Sequence, residues 1–301
     1  MRTTLFLAPV VVLMAFCAMV WWGSGPGDPH APPRHAAVAD APPNQAKVIF
    51  LHHSTGECVW NGGVVDWFAA YNKAHKSEFS ITERAFPGDA PYGWNNYPFD
   101  YWNIWVSHAG PKAFKGEPTL EMLTKSHSVI VFKHCFPVSA VEEDTGKADV
   151  AGEDKRAENY KLQYEALKKK MRSFPATKFI VWTGPALIQA ETDDATAKRA
   201  QAFFDWVVKT WDEPGDNIYL WDFRALETEG GLYLKGAYAL DDSHPNEAFS
   251  RKVAPLFCQR VLDVIHGQGD RRDRTGKSAP AGPLPKDGPS KTPPAKSTAS
   301  R

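Results

Sequence analysis

Val48-Ile49-Phe50-Leu51-His52-His53-Ser54-Thr55-Gly56 opens with four apolar residues and stops at two histidines and a serine, with a glycine two residues later. So short an apolar run, bounded by polar residues, suits a strand buried on both faces, as in a parallel sheet. The pattern recurs. Residues 79–86 alternate and stop at Pro87-Gly88; 128–132 carry Val-Ile-Val-Phe and are stopped by Pro137; 179–183 end at Gly184-Pro185; 218–223 form a fifth run. Between them lie segments with apolar residues three and four apart. These are 62–73 (Val64, Val65, Phe68), 154–172 (Tyr160, Tyr164, Leu167, Met171), 195–211 (Phe203, Phe204, Val207, Val208) and 245–266, with Pro245 near the first helical position. Strands alternating with helices predict an α/β fold, a three-layer α/β/α sandwich around a five-stranded parallel sheet.

The two ends have another character. Residues 5–22 are apolar, follow Arg2 and close on Trp21-Trp22. That length and flank fit a signal peptide or an N-terminal membrane anchor, so the body is expected to be exported to the periplasm or beyond. Residues 23–46, rich in Pro and Ala, read as a linker, and 47–266 as one domain. Residues 267–301 carry eight Lys/Arg against three Asp among Pro and Ser, and read as a solvated basic tail. Over the whole chain 35 basic and 35 acidic residues cancel, so no global field points to nucleic acid. Of four cysteines, Cys17 falls in the apolar leader. Cys58, Cys135 and Cys258 remain, an odd number that excludes a disulfide framework, and no Cys/His spacing suits structural zinc.

Acyl transfer needs a nucleophile, a base that takes its proton and an acid that orients the base. Ser54, just past the first strand, can be the first. Asp241-Asp242-Ser243-His244-Pro245-Asn246 offers His244 as the base and, three residues before it, Asp241 as the acid. A metal hydrolase using His52, His53, Asp241 and His244 has the right residue types but no HExxH-like helix. A separate cluster bears on substrate. Residues 91–106 mix Tyr92, Trp94, Tyr97, Tyr101, Trp102 and Trp105 with Asn95, Asn96 and Asn103, in no single period. Aromatic faces stack on sugar rings while amides meet hydroxyls, which nominates Trp94, Asn95, Tyr97 and Trp102 for substrate binding; an aromatic core loop is the alternative.

The order Ser54…Asp241…His244, with the acid and base three apart before Pro245-Asn246, resembles the SGNH (GDSL-like) esterase and lipase superfamily. The resemblance covers most of 47–266. It implies a five-stranded, flavodoxin-like sandwich and a serine esterase without a cofactor. In that family a Gly-Asp-Ser holds the nucleophile, where this chain has His52-His53-Ser54. A second block supplies a glycine N–H to the oxyanion, matched here by Gly88 beside Ser54's own N–H. A third block supplies an Asn amide, but this chain has Lys133-His134-Cys135, leaving Lys133 or His134 as the candidate donor. The family's sheet order would also set Cys58 and Cys135 near each other, close enough for a bridge. The expected function is hydrolysis or transfer of an O-acyl group, acetyl above all, on a carbohydrate or envelope polysaccharide. A non-catalytic carbohydrate-binding or assembly protein on the same fold is the other reading.

Overall fold

The computed structural model describes residues 44–93 and 95–277, all within one unit of the chain. Residues 5–22 and 278–301 therefore lie outside the described residues, as does Trp94. Five strands, β1 (Gln45–His52), β2 (Glu78–Ala85), β3 (Val129–Lys133), β4 (Lys178–Trp182) and β5 (Ile218–Trp221), form one sheet in the order β2-β1-β3-β4-β5. Every pairing is parallel. Helices α1 (Thr55–Asn61), α2 (Val64–His75), α3 (Pro98–Trp102), α4 (Leu120–Leu123), α5 (Ala157–Arg172), α6 (Asp194–Trp206), α7 (Phe223–Thr228) and α8 (Glu247–Ile265) surround it. The α/β class and the five-stranded parallel sheet expected from the sequence are those of the protein.

Period-two alternation sorts the strand side chains between two cores. Ile49, Leu51, Ile130, Phe132, Phe179, Val181 and Leu220 join Tyr160, Tyr164 and Leu167 of α5 and Phe203 of α6 on one face. Val48, Phe50, Val131, Ile180, Trp182 and Trp221 join Trp67 of α2 and Phe257 of α8 on the other. β3 is buried along its whole length, so both of its faces are core and it reads as an apolar run, Val129 to Phe132, closed by the buried Lys133. In the second core the Phe50 and Trp182 rings stack 5.2 Å apart and Trp221 meets Trp182 edge-on at 4.2 Å, geometries that aromatic quadrupoles favour.

Three boundaries differ from the sequence reading. α8 is capped by Asn246, whose side chain accepts the Phe249 N–H, so Pro245 lies outside the helix. α1 and α7, only seven and six residues long, are too short to show a helical period. The domain also runs past 266. Arg260 donates to Gly269 O at 2.7 Å, Asp222 N–H to Arg274 O at 2.9 Å and Trp221 Nε1 to Thr275 O at 3.1 Å. Residues 267–277 are thus part of the packed body; polarity alone did not reveal that their backbone carbonyls serve β5 and α8.

A buried polar group lies below the C-terminal ends of the central strands. Glu227 of α7 is fully buried, accepts the Ala186 N–H at 2.7 Å and crowds Gly184, where an added Cβ would meet its Oε1 at 2.7 Å. Gly184 has φ 95, so a side chain is excluded there on two counts. Burial raises the Glu227 carboxyl from 4.5 to about 8, against the pull of Arg224. Folded protein therefore holds this proton to about pH 8, while unfolded chain releases it near 4.5. Between those values the unfolded state binds fewer protons, and stability falls as pH rises, by up to about 1.4 kcal/mol per pH unit. Urea midpoints measured across this window should fall less steeply for Glu227→Gln than for the wild type; identical slopes would contradict the assignment.

Candidate active site

The order β2-β1-β3-β4-β5 reverses direction between β1 and β3, and in doubly wound sheets ligands bind outside the carboxyl ends of the strands at that point. Ser54 follows β1 directly, and Lys133 ends β3. Ser54 takes φ 49, the left-handed region that side chains rarely adopt, at a cost of about 1–3 kcal/mol. Its surroundings hold it there: His53 O accepts the Gly56 N–H at 2.9 Å and Ser54 O accepts the Cys58 N–H at 3.0 Å, the first turns of α1. Gly56 packs on His52, where an added Cβ would stand 2.5 Å from the histidine Cβ.

From 190 residues further along the chain, His244 arrives on the loop before α8, and the Ser54 hydroxyl hydrogen-bonds its Nε2. Its Nδ1 donates to an Asp242 carboxylate oxygen at 2.9 Å, and the His244 backbone N–H reaches the same oxygen at 2.9 Å. The carboxylate that meets the imidazole is thus that of Asp242. Asp241, selected by its spacing of three, is exposed. An aspartate two residues ahead can bond its own downstream backbone, the Asx turn, and that local closure brings the carboxylate under the ring. Burial pushes the Asp242 carboxyl up, but the two hydrogen bonds from His244 outweigh it and hold it below its ordinary value. Phe136, just beyond the third block, meets the His244 ring edge-on at 4.9 Å and walls the imidazole on one side.

The candidate oxyanion donors are placed differently from expectation. Pro87 O accepts a hydrogen bond from His53 Nε2, and the Gly88 N–H points to Glu117 Oε1 at 2.8 Å. A trans peptide aims its C=O and N–H in opposite directions, so Gly88 gives its donor to Glu117, a buried carboxylate also reached by Arg84 at 3.3 Å. His134 turns into the α5-side core between Tyr101 and Tyr164, with neither ring nitrogen partnered among the described residues. Burial, with Lys133 beside it, pushes its pKa down to about 3. It is a neutral core group and not an oxyanion donor. Lys133, on the opposite side of its strand, is fully buried and donates from Nζ to His53 O at 3.2 Å, so its side chain serves the peptide next to Ser54. The Ser54 N–H itself has no acceptor among the described residues.

The aromatic segment proves to be largely structural. Tyr97 is buried and donates to Glu153 O at 2.8 Å, and Tyr101 and Trp105 are core. Asn95 is exposed and Trp102 half-buried. Sequence reasoning missed two braces in this segment. Asn96 donates to Phe86 O at 2.8 Å and accepts the Cys135 N–H at 3.1 Å, joining the second block to the third. Tyr101 donates to Lys133 O at 2.6 Å. Buried amides in a loop are the signal that could have nominated Asn96, since each needs partners. His52 pairs with Glu83 at 2.8 Å, and among the described residues no three His, Cys, Asp or Glu side chains converge to hold a metal ion. Cys58, Cys135 and Cys258 are all free thiols, and burial raises Cys58 to about 11. Among the described residues no helix is long and apolar enough to cross a membrane.

No family model and no curated protein matches the chain. Among solved structures it is similar to Axe2, an acetylxylan esterase from Geobacillus stearothermophilus, at 13% identity and TM-score 0.44, covering 73% of this chain and 94% of that one. It is also similar to a carbohydrate esterase family 2 enzyme of Corynascus thermopiles (Myceliophthora fergusii), at 13% identity and TM-score 0.37, covering 77% and 69%. BT4096, a gut microbial diltiazem-metabolizing enzyme, is similar at 10% identity and TM-score 0.41, covering 75% of this chain and 47% of that one. At such identities and TM-scores the likeness says nothing about activity, and the chemistry rests on the geometry above.

Gly56→Ala tests the local packing under Ser54. The added methyl must displace a histidine Cβ that β1 fixes, so this variant should lower the thermal midpoint by several degrees. An unchanged midpoint would mean that the Ser54 turn is looser than described.

Proposed function

We propose that the chain is a serine esterase of the SGNH type that removes or transfers an O-acyl group, most simply an acetyl, carried by a carbohydrate. The observation that carries this reading is the continuous line Ser54 Oγ, His244 Nε2, His244 Nδ1, Asp242 Oδ1, which joins residues from the two ends of the domain. Each member has the role its chemistry allows. Ser54 Oγ attacks the ester carbonyl while His244 takes its proton. Asp242 holds the imidazole in the tautomer that leaves Nε2 free to accept, and stabilises the imidazolium. The Ser54 N–H, without an acceptor among the described residues, faces the oxyanion that forms. Collapse breaks the ester bond, His244 returns the proton to the departing alcohol, and water or a second hydroxyl then takes the acyl group from Ser54.

Support for a carbohydrate as the alcohol is confined to the segment beside the site. Asn95 is exposed next to Asn96, which ties the two blocks flanking Ser54, and Trp102 leaves part of its indole accessible. Export through residues 5–22 belongs to the same proposal and would be read by locating the mature chain in fractionated cells. One observation favours a second reading, a non-catalytic glycan-binding protein. The Gly88 donor is held by Glu117, so the oxyanion site has fewer open donors than an esterase ordinarily offers.

Steady-state hydrolysis of 4-nitrophenyl acetate and release of acetate from acetylated xylan separate the readings. Ser54→Ala and His244→Ala should each reduce turnover to near background, Asp242→Asn should lose less, and Asp241→Ala should keep most activity. Wild-type turnover in Ser54→Ala would end the esterase assignment. A collapse in Asp241→Ala with Asp242→Asn intact would mean that the geometry names the wrong acid.

A further inference from the structure

We propose that Lys133 is a positioning residue that strengthens the Ser54 N–H as oxyanion donor by acting through the peptide bond between His53 and Ser54; this rests on the esterase reading of Ser54. Lys133 Nζ lies 3.2 Å from His53 O, and that carbonyl belongs to the same peptide group as the Ser54 N–H. The C–N bond of a peptide has partial double-bond character, so drawing electron density toward the oxygen makes the N–H more positive. The Gly56 N–H, at 2.9 Å from the same oxygen, pulls in the same direction. Two donors at one end of the peptide, one of them a lysine ammonium, leave the other end polarised and, among the described residues, without an acceptor.

The placement of Lys133 is hard to explain by stability. The other residues of β3, Val129, Ile130, Val131 and Phe132, are apolar, and Lys133 is as buried as they are. Its ammonium finds one hydrogen-bond acceptor among the described residues, a poor return for taking a charge out of water. His53 O is satisfied by Gly56 without it, and the β1–β3 ladder already ties the two strands together. Burial lowers the Lys133 pKa, no carboxylate makes an ion pair with it among the described residues, and Glu227, which holds its proton to about pH 8, leaves it uncompensated. A methionine would fill the same channel without the desolvation cost. Retaining lysine makes sense if the charge acts when negative charge develops at the oxyanion.

This predicts a separation of activity from stability. In the full chain, Lys133→Met should lower kcat for 4-nitrophenyl acetate at least about tenfold, part of the hundredfold to thousandfold carried by a whole oxyanion donor. KM should stay within about twofold, because the effect falls on the transition state. Affinity for phenylboronic acid, which adds to the serine as a tetrahedral anion, should fall in parallel with kcat. The urea midpoint should be unchanged or higher. Lys133→Gln, which keeps a neutral donor but loses the charge, should lie between and serves if the Met variant does not fold. The inference is overturned if kcat is retained in either folded variant, or if its loss tracks a lower urea midpoint with boronic acid affinity unchanged. If instead wild type and Ser54→Ala hydrolyse the ester equally, the esterase reading itself fails and this inference with it.

Discussion

Parallel pairing of β1 with β3, Val48 beside Val129 through Leu51 beside Phe132, determines where every group of the site can stand. It makes these two strands neighbours at the point where the sheet reverses its order, the place outside whose carboxyl ends doubly wound sheets bind their ligands. Ser54 leaves one strand and Lys133 ends the other, which is why a lysine 80 residues away can reach the carbonyl beside Ser54. Both strands must be apolar to lie between two layers of helices, and that requirement makes any polar residue at their ends conspicuous. His244 completes the site from outside the sheet, on a loop fixed by the Asn246 cap and the packing of α8 against the Phe50 and Trp182 rings.

Where polar residues are buried, the protein separates two uses of them. Asn96 and Tyr101 are fully committed to backbone groups of the second and third blocks, so they brace the loops around Ser54. Lys133, His134 and Glu227 are not balanced in this way. Each is fully buried, His134 has no hydrogen-bond partner among the described residues, and the Glu227 Oε2 has none either. Burial keeps His134 neutral and shifts Glu227 toward its protonated form, which lowers the electrostatic cost of the group without removing it.

Much of this was legible in the sequence, for identifiable reasons. Apolar runs between helical periods marked β1, β3, β4 and β5, because a strand covered on both faces leaves no other pattern, while alternation marked β2, an edge strand with one exposed face. Ser54 and His244 were legible from their neighbours, a strand end on one side and Asp-x-x-His-Pro-Asn on the other. Spacing selected Asp241 because it cannot show which of two adjacent carboxylates turns inward; the Asx closure onto the His244 backbone brings Asp242, not Asp241, to the imidazole. Gly88 matched in position, but the direction of its N–H depends on Glu117, 29 residues away, and no local signal carries that contact. Tyr97 looked like a sugar platform because aromatic composition is the same in a binding surface and in a core. Its burial against α5 became visible only with the tertiary packing.

The central claim is that Ser54 is a nucleophile activated by His244 and Asp242, and covalent labelling addresses it without assuming a substrate. Folded protein treated with a fluorophosphonate and analysed by intact mass and peptide mapping should gain one adduct, on Ser54. The adduct should be absent from heat-unfolded protein and from His244→Ala. Folded protein that takes up no adduct, or that carries it on a residue other than Ser54, would contradict the account.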